Sequence, residues 1–589
     1  MDTTVKAIRV FALSSLAIAC SVQAEEANTT YSLQCKPTNA PTSTGVPLKG
    51  LTFVGTSVAN APFNTSAAEI VTYDACTDKL YVVNAQAQRI DVLEMDDNSV
   101  PSSNTYIDLT SAGKSAGVEI GAANSVAVNG GLIAVAIENS NKQHNGIIAL
   151  YRSDSLELIT TYPAGALPDM VGFSKDGRYI ATANEGEPNG DYSVDPEGSV
   201  TLIDLSTGVK SAQVTQIGFN EFDNGRKNEL PEHVRISAPN ASVAQDLEPE
   251  YLTFGANGKI YVALQENNAL AIINPESKSV EKIVGLGEKS WSDSKLDASN
   301  KDKTVGNFKS YPQLVGLYMP DTLDSYTVNG KTYIVSANEG DGREYGFTTT
   351  QELCDQKGFK WDEDDYAGSD DYASKQGACL SHVDEVRGKK LDIAEDHPLA
   401  NALKDNQQLA RLKVIKPKTT LSAKDNVLAF GARSFSIWDE NGKLVFDSGD
   451  EFATFAYQNQ GQNFNSTNDN NSSGDDRSDD KGTEPEAIEI AHINNRDYAF
   501  IGLERQGGIM VYDITIPEQA KFLHYVNHRD YGQPVCTEVD DGECVNDTYN
   551  PKAGDLGPES IHYFTRNDHH FIAVGNEVSG TTSVYRIEF

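Results

Sequence analysis

The chain has 589 residues, with 85 acidic side chains against 48 basic ones and a net charge of −37 at neutral pH. This excess argues against binding to nucleic acid or to an anionic membrane surface, because both attract basic faces. It favours cations as partners, unless the charge is merely spread over a soluble surface. Hydrophobic residues make up 39% of the chain, a proportion typical of globular proteins rather than disordered ones.

Residues 1–24 have the pattern of a Sec-type signal peptide. Lys6 and Arg9 precede an apolar run over 10–19, and small residues around Ala24 suit signal peptidase, so cleavage is expected after Ala24. The apolar run is too short to span a bilayer, and no second apolar run of 18 residues follows it. We therefore expect a periplasmic or secreted protein without a membrane span.

Six cysteines remain once Cys20 is removed with the signal peptide, and an even number in an exported chain favours disulfide bonds. The residues before Cys20 match a lipoprotein signal poorly, which favours release over lipid anchoring. The remaining cysteines fall in couples that are close in sequence. On that ground alone the expected bonds are Cys35–Cys76, Cys354–Cys379 and Cys536–Cys544.

Seven copies of one pattern follow one another along the chain. Each copy has an acidic or amide residue, a strand, a turn, a second strand and a further acidic or amide residue, and a third strand usually follows. One such copy cannot bury both faces of its sheet, so the copies must pack against one another. The pattern predicts an all-β fold, a seven-bladed β-propeller with inserted loops and a short helix, over residues 51–589. The copies begin at residues 68, 123, 168, 249, 320, 485 and 558.

The last copy ends after its third strand, at the end of the chain. We expect residues 51–58 to supply the missing fourth strand and close the ring, while residues 25–50 form an N-terminal segment. The stretch 398–412 is predicted to be a helix, because leucines recur along it. Insertions into the propeller are expected at about 210–246, 345–430 and 458–483.

Two positions of the repeat meet at one mouth of the central channel. The innermost strand of a blade begins, and the second strand ends, at the same edge, since antiparallel neighbours turn back. The first position holds Glu69, Asn124, Asp169, Glu250, Asp321, Glu486 and Glu559. The second holds Asn84, Glu138, Glu185, Glu266, Glu339, Glu504 and Glu577.

Twelve of these fourteen residues are carboxylates, and so many around one axis cannot all stay ionised without counter-charge. A single acid at such a position could simply accept backbone hydrogen bonds, but the whole set indicates a multinuclear site for divalent metal ions. Oxygen ligands favour Ca²⁺, with Mg²⁺ or Mn²⁺ as alternatives. The predicted metal ligands are Glu138, Asp169, Glu185, Glu250, Glu266, Asp321, Glu339, Glu486, Glu504, Glu559 and Glu577.

Basic residues interrupt the acidic loops near this mouth: Arg343, Arg477, Lys481 and Arg505. Guanidinium groups beside metal-binding carboxylates suit an anionic oxygen substrate, because their fork matches phosphate. These four are therefore candidate catalytic residues. The other interpretation is that they form ordinary salt bridges with the same carboxylates.

Five segments carry a family resemblance: ANEGEPNGDYSVDPEG (183–198), QDLEPEYLTF (245–254), ANEGDGREY (337–345), DDRSDDKGTEPEAIEI (475–490) and IGLERQGGIMVYDIT (501–515). Together they resemble the choice-of-anchor I family, a group of exported propeller proteins that includes the mesenchyme-specific cell-surface glycoprotein type. The resemblance runs from about residue 50 to the end of the chain.

Some relatives in that family are labelled alkaline phosphatase-like. The acidic mouth also resembles, more distantly, that of propeller alkaline phosphatases, whose cluster contains calcium and iron. This resemblance implies carboxylates that hold metals and arginines that hold phosphate. The thiolate ligand typical of the iron enzymes has no counterpart here, because the mature cysteines are all expected to be paired, so iron is disfavoured.

Two functions follow as hypotheses. The first is an exported, metal-dependent phosphoric-ester hydrolase, in which divalent cations polarise the phosphoryl group of a small phosphorylated or other anionic substrate and arginine neutralises its charge. The alternative is a calcium-stabilised extracellular propeller that acts as a binding module without catalysis, since fold does not determine function. A metal-dependent ester hydrolase of the lactonase type is a third, less favoured interpretation. The sequence indicates no oligomeric state.

Overall fold

The structure is a computed structural model that describes residues 41, 44–362, 376–540 and 543–589. Within these ranges, seven sheets have four antiparallel strands each, and three further sheets have five, three and two strands. The four-stranded sheets are the blades of a propeller, as the repeat predicts. No helix in this part of the chain is long and apolar enough to cross a membrane.

The first four blades follow one another along the chain, and β1 alone belongs to the last blade. Short runs of β-branched and aromatic residues form their strands, and Gly, Asn and Asp form the turns between them. Helix α1 (Thr110–Ala116) precedes the second blade, and α2 (Val243–Asp246) precedes the fourth. The strands are β1 (Gly50–Val58), β2 (Val71–Asp74), β3 (Lys79–Asn84), β4 (Arg89–Met95), β5 (Pro101–Asp108), β6 (Ile120–Asn129), β7 (Leu132–Asn139), β8 (Asn145–Arg152), β9 (Leu158–Ala166), β10 (Pro168–Phe173), β11 (Tyr179–Asn184), β12 (Ser199–Asp204), β13 (Gln213–Gly218), β14 (Leu252–Phe254), β15 (Ile260–Leu264), β16 (Ala269–Asn274) and β17 (Ser279–Gly285).

The fifth blade is interrupted after its second strand and resumes at Ser434, as the sequence predicts. Its strands are β20, β21, β28 and β29, while the five-stranded sheet (β18, β19, β27, β26, β25) and the three-stranded sheet (β22, β24, β23) come from the flanking and inserted segments. The elements are β18 (Glu288–Ser290), β19 (Leu314–Leu317), β20 (Leu323–Val328), β21 (Lys331–Asn338), β22 (Glu344–Thr350), α3 (Gln351–Lys357), β23 (Lys360–Asp362), β24 (Gln376–Val383), β25 (Glu385–Arg387), β26 (Lys413–Ile415), β27 (Val427–Ala429), β28 (Ser434–Asp439) and β29 (Leu444–Asp447).

The last two blades complete the ring. The innermost strands of successive blades contact one another in the closed order β2, β6, β10, β14, β20, β30, β36 and back to β2. The remaining elements are α4 (Glu451–Gln460), β30 (Pro485–Ile493), β31 (Arg496–Leu503), β32 (Ile509–Asp513), β33 (Lys521–Val526), β34 (Val539–Asp540), β35 (Glu543–Cys544), β36 (Pro558–Arg566), β37 (His569–Asn576) and β38 (Thr581–Glu588).

Short 3-10 turns link several of these elements. They are Leu205–Thr207, Asn220–Phe222, Lys227–Glu229, Gly388–Lys390, Ala402–Lys404, Gly461–Asn463, Pro517–Gln519 and Pro551–Ala553.

Ring closure occurs between the two ends of the propeller. Strand β1 pairs antiparallel with β38 from Gly50 opposite Glu588 to Val58 opposite Thr581. This confirms the prediction that residues 51–58 complete the last blade. The pairing removes the free edge of β38, which would otherwise present unpaired N–H and C=O groups to solvent.

The core lies between adjacent blades. Between the third and fourth blades, for example, Val200 and Leu202 belong to the same buried cluster as Val262 and Leu264. The middle strands of a blade, such as β7 and β15, are apolar and buried along nearly their whole length, because both faces of a blade pack against neighbours.

The predicted helix over 398–412 is wrong, since only a 3-10 turn at Ala402–Lys404 forms there. Leu399 and Leu403 keep helical spacing, but the next buried leucine is Leu409, six residues on. The side chain of Asp405 accepts a hydrogen bond from the backbone N–H of Gln407, which favours a turn over helix.

Two of the three predicted disulfide bonds are confirmed: Cys354–Cys379 and Cys536–Cys544, with Cα–Cα distances of 5.5 and 5.4 Å. Cys35 lies outside the described residues, so the bond between Cys35 and Cys76 stays a prediction.

The ring closure generates a testable prediction. A chain that begins at residue 60 lacks β1, and it should unfold at a lower temperature and aggregate, because the β38 edge and its apolar face are then exposed. The loss of Leu51, which is 8% exposed, alone removes on the order of 2 kcal/mol of burial.

The matched control is a chain that begins at residue 44, because that chain keeps β1. Calorimetry measures the melting temperatures of both chains. Both chains carry Cys76→Ser, since the predicted partner Cys35 is absent from each. Equal melting temperatures would show that the strand pairing contributes nothing to stability.

Candidate functional site

The site is an acidic cavity of about 300 Å³ at one end of the channel; we name it, with the second-position acids around it, the acidic mouth. All seven residues of the first repeat position line the cavity, with Glu138 and Glu185 from the second position. Two charged residues outside the repeat positions, Glu187 and Lys142, also line it.

A recurrent backbone feature aims the acids inward. The backbone N–H of Glu185 donates to the carbonyl of Leu167, and that of Glu504 donates to the carbonyl of Glu484. Leu167 and Glu484 each precede the proline of their repeat, and both have positive φ angles, 48° and 51°. This left-handed conformation is uncommon outside glycine. It turns the chain so that the second-position acid of a blade lies next to the first-position acid.

Two groups of three carboxylates come within metal-ligand distance. In the group of Asp321, Glu339 and Glu486, and in the group of Glu339, Glu484 and Glu504, one oxygen per residue lies within 4.8 Å of the others. Glu339 belongs to both groups. Sequence reasoning missed Glu484, which stands just before Pro485; a second acid flanking that proline was the available signal.

Burial and mutual repulsion raise the pKa values of many acids of the mouth. Burial, with the charges of Asp321 and Glu187, raises the pKa of Asp169 to about 7. Burial raises the pKa of Glu339 to about 7 and that of Glu504 to about 8, although Lys481 and Arg505 respectively oppose the change.

The same causes act on the rest of the mouth. Burial is the larger cause, and repulsion from neighbouring carboxylates adds to it. Together they raise the pKa well above its ordinary value in Glu69, Glu185, Glu250, Glu486 and Glu559. The Oε2 atoms of Glu69 and Glu250 are buried and accept no hydrogen bond. Desolvated carboxylate oxygens without partners are costly, so this part of the mouth demands counter-charge.

Not every second-position residue faces this demand. Asn84 donates to Asp91 at 2.9 Å, and Glu138 accepts a hydrogen bond from the backbone N–H of Ala122 at 3.1 Å. Glu577 accepts one from the hydroxyl of Ser66 at 3.2 Å. These contacts match the structural interpretation of the repeat acids.

The four basic candidates are all ion-paired. Arg343 is 2% exposed; its Nε donates to Glu248 at 3.0 Å and its Nη2 to the carbonyl of Asp246 at 2.7 Å. Lys481 Nζ lies 2.5 Å from Glu339 Oε1. The interpretation of these residues as salt-bridge partners therefore has direct geometric support.

The two remaining arginines share one carboxylate. Arg477 donates through Nε and Nη2 to Glu484 Oε1, at 2.8 and 2.6 Å. Arg505 Nε lies 3.1 Å from Glu504 and 3.5 Å from Glu484. Burial raises the pKa of Glu484, but Lys481, Arg477 and Arg505 outweigh it and hold that pKa at about 2.

Lys142 is the basic residue of the cavity lining in the described part of the chain. Its Nζ lies 3.9 Å from Glu138, and its side chain is 54% exposed. Sequence reasoning missed it because it stands in a loop outside the repeat. Its charge falls far short of neutralising the carboxylates that line the same cavity.

The donor set fits hard divalent cations. Carboxylate oxygens, with Asn124 and Thr322 nearby, line the cavity, and neither histidine nor cysteine does so among the described residues. Ca²⁺ accepts six to eight oxygen ligands in flexible geometry, whereas Mg²⁺ requires a stricter octahedron. Among the described residues, the lining therefore offers oxygen ligands of the kind that Ca²⁺ accepts, without the histidine or cysteine ligands that zinc prefers.

The raised pKa values predict how stability depends on pH once metals are removed. A carboxyl whose folded pKa exceeds its unfolded value stabilises the fold at low pH, and that contribution is lost as pH rises through the folded pKa. For Asp169, Glu339 and Glu504 this window runs from about 4 to about 7 or 8. We expect the Tm of EDTA-treated protein, measured by calorimetry, to fall between about pH 5 and about pH 8.

Saturating Ca²⁺ is the control, because bound cations neutralise the same carboxylates and should flatten the curve. A Tm that stays level or rises over this range in EDTA would contradict the prediction.

The chain is similar to the mesenchyme-specific cell surface glycoprotein of Strongylocentrotus purpuratus. The two are 25% identical over 339 residues, and the match covers 52% of this chain and 41% of the relative. This chain therefore spans less than half of that relative's length.

Solved structures resemble the chain at low identity. Hydrazine synthase of Kuenenia stuttgartiensis has a TM-score of 0.40 at 10% identity, over 90% of this chain and 97% of that chain. The β-propeller domain of Cps50 (Swd1) from Myceliophteria thermophila has a TM-score of 0.40 at 6% identity, over 91% and 100%.

The choice-of-anchor I domain matches residues 69–517 of the chain. The match contains six of the seven first-position residues of the acidic mouth as well as its basic partners. Since it covers well over half of the sequence, this chain belongs to the choice-of-anchor I domain family.

Proposed function

We propose that this chain is an extracellular binding module, a β-propeller whose acidic mouth holds Ca²⁺ and presents that face to a partner without catalysing a reaction. The observation that carries the proposal is the uncompensated burial of carboxylates, with the Oε2 atoms of Glu69 and Glu250 left without hydrogen bonds. Family membership and the printed name of the sea urchin relative support a position at the cell surface. Disulfide bonds support an oxidising compartment.

The charges of the mouth are distributed unevenly. On one side, Glu339, Glu484 and Glu504 are in contact with Lys481, Arg477 and Arg505. On the other side, around Asp169, Glu185, Glu187 and Glu250, the cavity lining of the described chain offers Lys142 as its basic group. External cations are therefore needed chiefly on this second side, which we name the uncompensated side.

Phosphoric-ester hydrolysis fits these contacts less well. An arginine that binds phosphate in the transition state must have free donors directed at the substrate. Arg343 and Arg477 instead donate to carboxylates of the protein, and Nη1 of Arg505 donates to the side-chain oxygen of Asn468. A phosphate would have to displace these partners and leave buried carboxylates unpaired, which costs several kcal/mol, about 3–5 by analogy with broken buried pairs.

Glu250→Gln tests the cation site through two effects of opposite sign. At pH 8 without metal the variant should melt at a higher temperature than the wild type, because one uncompensated charge is gone. Its gain in Tm on adding Ca²⁺ should be smaller, because a ligand is lost. For the wild type, a hundredfold excess of Ca²⁺ over Kd should add about 2.7 kcal/mol.

Differential scanning fluorimetry and isothermal titration calorimetry measure both effects. Glu119→Gln, at an exposed position outside the mouth, removes the same charge and should change neither quantity. A Glu250→Gln variant that binds Ca²⁺ as the wild type does would remove the proposed site.

Absence of catalysis has its own test. Protein loaded with Ca²⁺, Mg²⁺ or Mn²⁺ should hydrolyse phosphomonoesters and phosphodiesters no faster than buffer containing the same metal. Turnover that copurifies with the wild type and is lost in Glu250→Gln would restore the hydrolase hypothesis in place of the binding module.

A further inference from the structure

Lys481 lies within a shell of carboxylate oxygens. Its Nζ is 2.5 Å from Glu339 Oε1, 2.9 Å from Asp341 Oδ1 and 3.3 Å from Glu484 Oε2. The residue is 9% exposed. Three carboxylates from separate positions around one small cation resemble the oxygen shell that surrounds a bound metal ion.

The loop that carries Lys481 is fixed by contacts of its own. Arg433 is 7% exposed, and its Nη2 donates to the carbonyls of Ser478 and Asp480. The backbone N–H of Gly482 donates to the carbonyl of Arg477. Lys481 therefore extends from a fixed turn, and its ammonium group is held at one place.

Glu339 faces a second group of oxygens as well. It lies within metal-ligand distance of Asp321 and Glu486 on one side, and of Glu484 and Glu504 on the other. Its Oε1 contacts Lys481, while its Oε2 accepts a hydrogen bond from Gln265 at 2.8 Å. Two adjacent groups of carboxylate oxygens thus share Glu339.

Glu484 gives independent evidence for a cation position on the lysine side. Glu484 is 0% exposed, and its Oε2 accepts no hydrogen bond. The nearest cationic atoms to this oxygen are Lys481 Nζ at 3.3 Å and Arg505 Nε at 3.5 Å. A fully buried carboxylate oxygen directed at this group therefore has unused capacity for a ligand.

The local charge balance points the same way. Four carboxylates (Glu339, Asp341, Glu484 and Glu504) face three cationic side chains (Lys481, Arg477 and Arg505). Without the ammonium group, the excess would be two negative charges, which is the charge that one divalent ion neutralises.

We propose that Lys481 is a tethered cation that occupies one of two adjacent cation positions, so that removing its charge opens a Ca²⁺ site formed by the carboxylates around its ammonium group, Glu339, Asp341 and Glu484. Glu339 is then shared between the ammonium group and whatever cation lies beside Asp321 and Glu486. The inference deepens the proposed function, because it assigns which part of the mouth exchanges cations with solvent: the ammonium group closes the Glu484 side and leaves the rest open.

Ca²⁺ counting tests the inference. Wild-type protein, Lys481→Met and the charge-preserving control Lys481→Arg are stripped with EDTA, equilibrated with defined free Ca²⁺ at pH 8 and measured by elemental analysis and titration calorimetry. We expect Lys481→Met to bind one Ca²⁺ per chain more than the wild type, and Lys481→Arg to bind the same number as the wild type. Equal numbers in Lys481→Met and wild type would overturn the inference.

The variant must also be tested for folding. If Lys481→Met does not fold in EDTA, it is refolded with Ca²⁺ and, in parallel, with Na⁺ at equal ionic strength. Recovery of the wild-type circular dichroism spectrum with Ca²⁺ alone supports the inference, and failure in both conditions overturns it.

The outcomes separate this inference from the proposed function. If the wild type binds no Ca²⁺ and Lys481→Met binds one ion, the proposed function is overturned and the tethered-cation inference stands. If the wild type binds Ca²⁺ and Lys481→Met binds the same number of ions, the inference is overturned and the proposed function stands.

Discussion

The convergence of like charges on one axis is the constraint on which the rest of the structure depends. Closing the ring brings the start of every innermost strand to the same place, so one position of the repeat appears seven times around one cavity, and six of the seven residues there are acids. A single buried carboxylate is tolerable, whereas a ring of them raises the pKa of every member. The propeller must therefore contribute enough inter-blade packing to hold these groups together.

The protein meets this constraint differently on the two sides of the mouth. Near the fifth and sixth blades it supplies its own cations, and Lys481 and Arg477 come from an insertion that departs from the repeat. On the uncompensated side the described chain supplies only the half-exposed Lys142 to the cavity lining. Internal cations compensate the acids of one side. Under the proposed function the other side takes its cations from solution, and its stability and its surface then respond to the surroundings.

The repeat allowed the blades to be predicted, and the insertions did not follow from it. Short apolar runs, turn residues and a recurring acid specify strands such as β11 and β37 locally. The last blade lacked a fourth strand in sequence order, which required β1 to close the ring. Lys142 and the pairing of Arg343 depend on where loops of unrelated sequence pack, and no spacing along the chain encodes that. The helix predicted over 398–412 was wrong for the same reason, because its leucines pack against the inserted five-stranded sheet and not along one helical face.

Two other acids of the innermost strands show how a structural carboxylate differs from one that needs a ligand. Asp324 accepts the backbone N–H of Ile490, and Glu489 accepts that of Tyr563, each at 2.8 Å and each from the next blade. These carboxylates join neighbouring blades and use oxygens that would otherwise be unsatisfied. Glu250 stands two residues before the innermost strand β14, and its Oε2 has no such partner. The hydrogen-bond partner therefore distinguishes an acid that holds the ring together from the acid for which we propose a cation.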